Sequence, residues 1–332
     1  MSLPVPFPYP PMEASTAAEL PRGPGWQYEP KWDGFRCLAF RDGETVRLQS
    51  KAGKPLGRYF PDVIESLAAL QATRFVLDGE IVIPVDGRLS FDELLLRVHP
   101  AASRVRTLVA AHRARYVVFD LLVDERGRSL IGRTLAERRE QLEAFALAQF
   151  RDSSALALAR TTTRAATAAG WLAGKSGDHD GVVAKRTDLP YRSGERDGMI
   201  KVKRRRTADC VVGGFRYASK GRQVGSLLLG LYDADGQLHH VGFCSSLSAD
   251  ERQGLTERLE RLRRPPGFTG RAPGGPSRWS TERSAAWEPL KPALVVEVGY
   301  DHVTNGRFRH GTTFLRWRPD KAPRQCTMEQ IA

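Results

Sequence analysis

The sequence predicts an α+β protein in two parts: antiparallel sheets with flanking helices, followed by a small closed β-barrel. Three observations carry that expectation. The chain has 332 residues, more than a single hydrophobic core usually serves. Strand-like alternation and helix-capping signals interleave up to about residue 205. Beyond that point come short strands between turn signals, with one helix set among them, which is the pattern of an OB-type barrel. The expected divisions are a proline-rich extended arm over 1–24, a first domain over 25–205 and a second over 206–332.

The elements follow in order. Met1 to Pro11 is rich in proline and is expected to lie as an extended arm across the surface. Gln27 to Ser50 reads as a hairpin: Phe35 to Phe40 alternates, Asp42-Gly43 turns, and Thr45 to Gln49 alternates again. Pro61-Asp62 opens a helix. Phe75 to Val85 reads as a strand pair broken at Asp78-Gly79 and closed by Asp86-Gly87. Ser90 with Glu93, and Thr134 with Glu137, have capping-box spacing, and the second pair opens a long helix to about Phe150. Arg115 to Val123 is a strongly apolar strand, and Gly181 to Lys185 and Met199 to Lys203 are two shorter ones. In the second domain, strands are expected at Cys210–Tyr217, Ser226–Tyr232, Leu238–Cys244, Ala293–Tyr300 and Thr313–Trp317. One helix capped by Ser248 runs to about Leu262, and a Pro/Gly/Ser/Arg loop covers Pro265 to Ser284.

Composition narrows the function. No apolar run approaches the roughly 18 residues of a membrane span, and the N-terminus lacks the pattern of a signal peptide. Cys37, Cys210, Cys244 and Cys326 are scattered, with no zinc spacing, and read as reduced thiols of a cytoplasmic protein. The formal charge of +13 suits a polyanionic partner, and Lys201 to Arg206 is a dense basic run flanked by strands.

The residues that carry chemistry sit on short strands. Lys31 lies between Glu29-Pro30 and Asp33-Gly34, just before an alternating run, which would hold a nucleophilic amine at a strand edge. Glu80 ends Leu77-Asp78-Gly79-Glu80, and Asp180 opens Asp180-Gly181-Val182-Val183-Ala184-Lys185. Lys201 and Lys203 alternate, so both point to one face of their strand. Each pattern alone has a plain structural reading: a hairpin turn, a solvated face, a core phenylalanine at Phe119. Their order is what raises them together.

That order resembles the covalent nucleotidyltransferases, and within them the ATP-dependent DNA ligases of the compact bacterial repair type. The resemblance covers about residues 20–325. It runs through Lys31-Trp32-Asp33-Gly34-Phe35-Arg36, Leu48-Gln49-Ser50-Lys51-Ala52-Gly53, Leu77 to Glu80, and Tyr116-Val117-Val118-Phe119-Asp120. It continues through Asp180 to Lys185, Ile200-Lys201-Val202-Lys203 and Phe314-Leu315-Arg316-Trp317-Arg318-Pro319-Asp320-Lys321. Asp180 stands where the family usually has glutamate, Lys51 where it has arginine, and Met199 where it has an aromatic residue.

The resemblance implies a nucleotidyltransferase (adenylation) domain followed by an OB domain, and a three-step reaction. Lys31 attacks the α-phosphate of ATP to form lysyl-AMP, the AMP passes to the 5′-phosphate of a nick, and the 3′-hydroxyl displaces it. Lys31, Lys201 and Lys203 are the implied catalytic residues. A free lysine, with a pKa near about 10.4, is mostly protonated at neutral pH, so neighbouring cations and a metal are expected to help deprotonate it. Glu80 and Asp180 would ligate Mg²⁺ or Mn²⁺. Glu29 would accept from the adenine amine, Phe119 would stack on the base, Arg36 and Lys51 would hold the ribose or the nick phosphates, and Trp32 and Arg196 would lie near the nucleotide. Arg316, Arg318 and Lys321 would close over the triphosphate, with Lys203 to Thr207 as the hinge. The implied partner is nicked duplex DNA, together with a repair polymerase or end-binding protein. A monomer without membrane contact, cytoplasmic and associated with a bacterial nucleoid, is expected. An RNA ligase or capping guanylyltransferase, and a non-catalytic OB nucleic-acid binder, are the rival readings.

Overall fold

The computed structural model describes residues 3–99, 101–151, 153–174, 179–204, 206–219, 221–252, 254–274 and 286–331. The chain divides into two compact units, Met1–Arg204 and Arg205–Ala332.

The first unit is built on two sheets. One has the strand order Thr45–Ser50, Phe35–Asp42, Arg74–Val82, Arg115–Val123 and Leu156–Leu158, antiparallel except for the last pair. The other has the order Ser15–Thr16, Met199–Lys203, His179–Arg186 and Trp26–Trp32, parallel only at its first pair. The consecutive strands Trp26–Trp32 and Phe35–Asp42 therefore belong to different sheets, and Asp33-Gly34 redirects the chain between them.

Side-chain alternation assigns the two faces of the five-stranded sheet. Cys37 and Ala39 join a core with Phe60, Phe75, Tyr116, Leu142 and Phe145, contributed partly by the helices Pro61–Ala68 and Leu135–Gln149. Leu38 and Phe40 point the other way, into a core with Val76, Leu122, Tyr191 and Met199. Burying side chains of this size contributes about 1.5–3 kcal/mol each. The helix Leu135–Gln149 is closed at its start by the Thr134–Glu137 capping box and buries Leu135, Leu142 and Phe145 on one stripe.

The N-terminal arm departs from the expected surface strap. Val5 and Met12 are 2% and 4% exposed and belong to the second of these cores. Tyr9 exchanges two hydrogen bonds with the Gln49 side chain, and Ser15–Thr16 adds a strand beside Ile200 and Lys201. Apolar residues spaced among prolines were enough to bury an extended segment without regular structure.

The expected break at Asp78-Gly79 is also corrected. Arg74–Val82 runs through it as one central strand, and the turn at Asp86-Gly87 joins the short strands Pro84–Val85 and Arg88–Leu89. Strands on both sides supply hydrogen bonds that hold the Asp-Gly pair extended, with a register shift at Asp78/Gly79. The glycine is needed for close approach: a Cβ there would lie 2.6 Å from the Tyr116 ring and 2.6 Å from the Val117 carbonyl oxygen.

In the second unit, Leu238–Cys244, Val224–Tyr232, Arg206–Tyr217, Val295–Tyr300 and Thr313–Trp317 lie in that order as antiparallel neighbours. Thr312 donates its amide to the Phe243 carbonyl and bridges in parallel to Cys244, which brings the first and last strands of the series together as a closed barrel. The helical insert falls between the third and fourth long strands in sequence. It is two helices, Ala249–Arg252 and Leu255–Arg261, rather than one. Gly254, with φ +69°, takes a left-handed conformation that ends continuous helix. Much of the expected Pro265–Ser284 loop, from 275 onward, lies outside the described residues.

Candidate active site

Lys31 is the penultimate residue of Trp26–Trp32 and faces Gly181 across the sheet. The register shifts between His179 and Gly181, and Asp180 is the residue at that irregularity. A bulge re-aims a side chain, and the Asp180 carboxylate accepts from Lys31 Nζ at 2.7 and 2.8 Å.

Glu29, two residues before Lys31 on the same strand, shares its face. Glu29 is 3% exposed, and both of its oxygens are engaged. Gln27 Nε2 donates to Oε1 at 2.9 Å, and Lys185 Nζ lies 2.7 Å from Oε2. Lys185 also lies over the Phe119 ring, 4.3 Å from its centroid, and the Arg36 guanidinium lies 4.6 Å from the same centroid. Glu29, Lys185, Phe119 and Arg36 are thus one contiguous group drawn from four strands.

Arg36 faces Glu80 across the neighbouring strand and forms a two-pronged pair with the fully buried Asp78, at 2.6 Å for each bond. Tyr191 donates its hydroxyl to Asp78 at 2.7 Å and accepts the Met12 amide at 3.0 Å. A chain of contacts therefore runs from the arm through Tyr191 and Asp78 to Arg36.

These elements enclose a cleft of about 160 Å³ lined by Glu29, Lys31, Trp32, Arg36, Lys51, Glu80, Phe119, Lys185 and Lys201, with Pro11 to Ala14 of the arm on one side. Burial pushes the Glu80 carboxyl up to about 8, against the pull of Arg36 and Lys31. Lys201 is shifted down, first by burial and then by the nearby Lys51, Lys31 and Lys203. Cations gathered this closely suit a polyphosphate. The buried Trp32 indole nitrogen has no hydrogen-bond partner among the described residues.

The remaining expected residues lie elsewhere. Lys203 is on the same strand as Lys201 but does not line the cleft, and Arg196 pairs with Glu13 at 3.1 Å. Arg316, Arg318 and Lys321 belong to the second unit. There Arg316 pairs with Glu297 at 2.7 Å, and Asp209 holds both Arg318 at 2.8 Å and Lys321 at 2.7 Å. Sequence reasoning did not single out Glu13, Gln27, Asp78, Lys185 or Tyr191. Asp78 and Lys185 were inside quoted motifs, and a charged residue in an otherwise apolar strand was the available signal. For Glu13 there was none, because its neighbours in space come from distant segments.

A lysine set against a carboxylate, beside a ring and a buried glutamate, on a two-sheet unit that precedes an OB barrel defines a nucleotidyltransferase working through a covalent lysine adduct. The comparisons narrow the class. Family models for the ATP dependent DNA ligase domain and the ATP dependent DNA ligase C terminal region match residues 11–203 and 220–321. The chain is 44% identical to DNA ligase C1 of Mycolicibacterium smegmatis, over 100% of this chain and 96% of that one. It is 40% identical to DNA ligase C of Mycobacterium tuberculosis, with the same coverage. The solved ligase domain of M. tuberculosis LigD superposes with a TM-score of 0.50 at 31% identity, covering 96% of this chain and 98% of that one. The chain belongs to the ATP-dependent DNA ligase family: it joins nicks in duplex DNA, using ATP and a divalent metal, through a lysyl-AMP intermediate.

Proposed function

We propose that Lys31 is the residue that takes up AMP and that the cleft around it is the adenylation site, in a domain spanning 25–205 that is followed by an OB domain over 206–332. The observation that carries this reading is the convergence of separate strands on one amine: Asp180 at 2.7 Å from Nζ, with Glu29, Arg36, Glu80, Phe119 and Lys201 lining the same cleft.

The proposed roles are those the family implies for these positions. Glu29, held on both oxygens, presents a fixed acceptor to the adenine amine. Phe119 and Trp32 offer apolar faces to the base. Arg36, kept in one orientation by Asp78, and Lys51 and Arg196 bind ribose or phosphate oxygens. Nucleophilic attack requires Nζ to lose a proton and its pairing with Asp180. Lys201 and Lys203 neutralise charge that builds on the α-phosphate. Arg316, Arg318 and Lys321 of the OB domain orient the departing pyrophosphate.

Glu80 and Asp180 fit a divalent cation: both offer hard oxygen donors, and a carboxyl raised to about 8 by burial gains from a nearby positive charge. A bound Mg²⁺ or Mn²⁺ would supply Lewis-acid neutralisation of phosphate charge. The names of relatives that are end joining DNA repair proteins support a role in DNA repair, and an end-binding protein or repair polymerase is the partner we propose. Action as a monomer in the bacterial cytoplasm completes the proposal; among the described residues, no helix is long and apolar enough to cross a membrane.

The test is transfer of label from ATP to protein with magnesium, compared with Lys31→Ala, followed by sealing of a nicked duplex. Wild-type protein that takes up no AMP, or a Lys31→Ala variant that still does, overturns the assignment. Label from GTP instead of ATP would favour the capping reading, and equal sealing of an RNA nick would broaden the substrate class.

A further inference from the structure

Glu13 is an arm residue that lines the cleft, and its position is built rather than incidental. Its amide donates to the Glu195 carbonyl at 2.8 Å. Just before it, the Met12 amide donates to the Tyr191 hydroxyl at 3.0 Å, and the Met12 carbonyl accepts from Arg36 at 3.3 Å. Two residues after it, Ser15–Thr16 joins the sheet beside Ile200 and Lys201. Backbone fixed on both sides delivers the Glu13 carboxylate to two cations at once: Lys51 Nζ at 3.0 Å and Arg196 Nε at 3.1 Å, both on Oε2.

The Lys51 and Arg196 side chains are 54% and 71% exposed, whereas that of Glu13 is 24% exposed. Two long, solvated cations are therefore tied down by one anchored anion. The hydrogen bond from Lys51 holds the Glu13 carboxyl below its ordinary range, with Arg196 adding to the effect, so it is ionised at neutral pH.

We propose that Glu13 is an internal counter-ion that competes with a substrate phosphoryl group for Lys51 and Arg196, and thereby sets the affinity of that subsite. The proposal rests on the reading of those two residues as phosphate-binding cations. A phosphoryl group carries more charge and more acceptor oxygens than a carboxylate, so it displaces Glu13, whereas a weaker anion does not. The arm backbone need not move, because rotation about the Glu13 side chain is enough to release both cations. Each exposed ion pair opposes release only weakly, so the competition scales affinity rather than blocking it.

The phosphoryl group has two sources, the ATP triphosphate and the nick 5′-phosphate, and two arms of one experiment separate them. KM and kcat are measured for AMP uptake from ATP, and for sealing of a 5′-phosphorylated nick by pre-adenylated protein. Wild type, Glu13→Gln, Glu13→Asp and Lys51→Ala are compared at low and high salt. Glu13→Gln should lower KM by about three- to tenfold in the step whose phosphoryl group docks there, with kcat little changed. The gain should shrink as salt rises. Glu13→Asp keeps the charge and should stay nearer wild type.

A Glu13→Gln variant with KM unchanged or raised in both steps overturns the proposal. Lys51→Ala tells the two levels apart. If it raises KM while Glu13→Gln has no effect, the phosphate-binding reading stands and only the counter-ion fails. If it changes neither step, the underlying reading fails and the proposal with it.

Discussion

Removing the Asp78 carboxylate tests how the site is held together. Asp78 is fully buried and accepts three hydrogen bonds, two from Arg36 at 2.6 Å and one from Tyr191 at 2.7 Å. In Asp78→Ala, Arg36 loses its two-pronged carboxylate partner and Tyr191 loses its acceptor. Breaking a buried ion pair costs roughly 3–5 kcal/mol, and orphaning a buried hydroxyl about 1–3 kcal/mol. The Arg36 side chain is 20% exposed, so solvent from the cleft offsets part of this. The expected loss is about 2–4 kcal/mol in urea denaturation. Asp78→Asn keeps the shape and one acceptor and should lose about 1–2 kcal/mol. Because Arg36 is released beside Phe119, AMP uptake should fall in both variants under conditions where they remain folded. Adding Arg36→Ala to Asp78→Ala should then cost less than the two single losses summed. A destabilisation under about 0.5 kcal/mol with normal AMP uptake, or full additivity in the double variant, would refute the reasoning.

Other outcomes follow from the same geometry. Gly79→Ala places a methyl group 2.6 Å from both the Tyr116 ring and the Val117 carbonyl and should destabilise by about 2–4 kcal/mol; Gly132→Ala, with nothing within 4 Å, should be near neutral in the same thermal melt. Lys185→Met leaves Glu29 buried without its cationic partner; it should raise the KM for ATP in AMP uptake about tenfold and narrow the preference for ATP over GTP, and unchanged selectivity would remove Lys185 from recognition. Glu80 carries a pH signature. Its carboxyl is raised from 4.5 to about 8 in the folded protein, so between those values the folded chain holds a proton that the unfolded chain has lost. Folding is thus opposed progressively as pH rises through that window. Glu80→Gln should be more stable than wild type at pH 8 by up to about 2 kcal/mol, and the gap should close at pH 4.5; a gap that stays constant with pH contradicts the shift.

Much of this protein was legible one strand at a time. A strongly apolar run placed Arg115–Val123, turn signals bounded Leu238–Cys244 and Thr313–Trp317, and the Thr134–Glu137 spacing placed the start of a helix, because composition, turn chemistry and capping are local properties of the chain. The order of motifs around Lys31 led to the family through residue identity alone. Local rules failed where long-range pairing overrode them. Asp78-Gly79 has the chemistry of a turn, yet strands on either side hold it extended. Val5 and Met12 have no period to reveal them, yet both are buried.

What the sequence by itself determined, then, is most of the long strands, the capped start of one helix and the family, and it singled out Lys31 for the proposed site. What only the tertiary structure decided is which groups meet. Asp180 reaches Lys31 through a bulge 149 positions along the chain, and Lys185 and Gln27 close on the two oxygens of Glu29. Glu13 ties Lys51 to Arg196, although nothing in its own neighbourhood marks it as charged for a purpose. The reason is physical: a carboxylate acts on a cation at contact distance, and contact between distant segments is set by sheet register and packing, which no local pattern encodes.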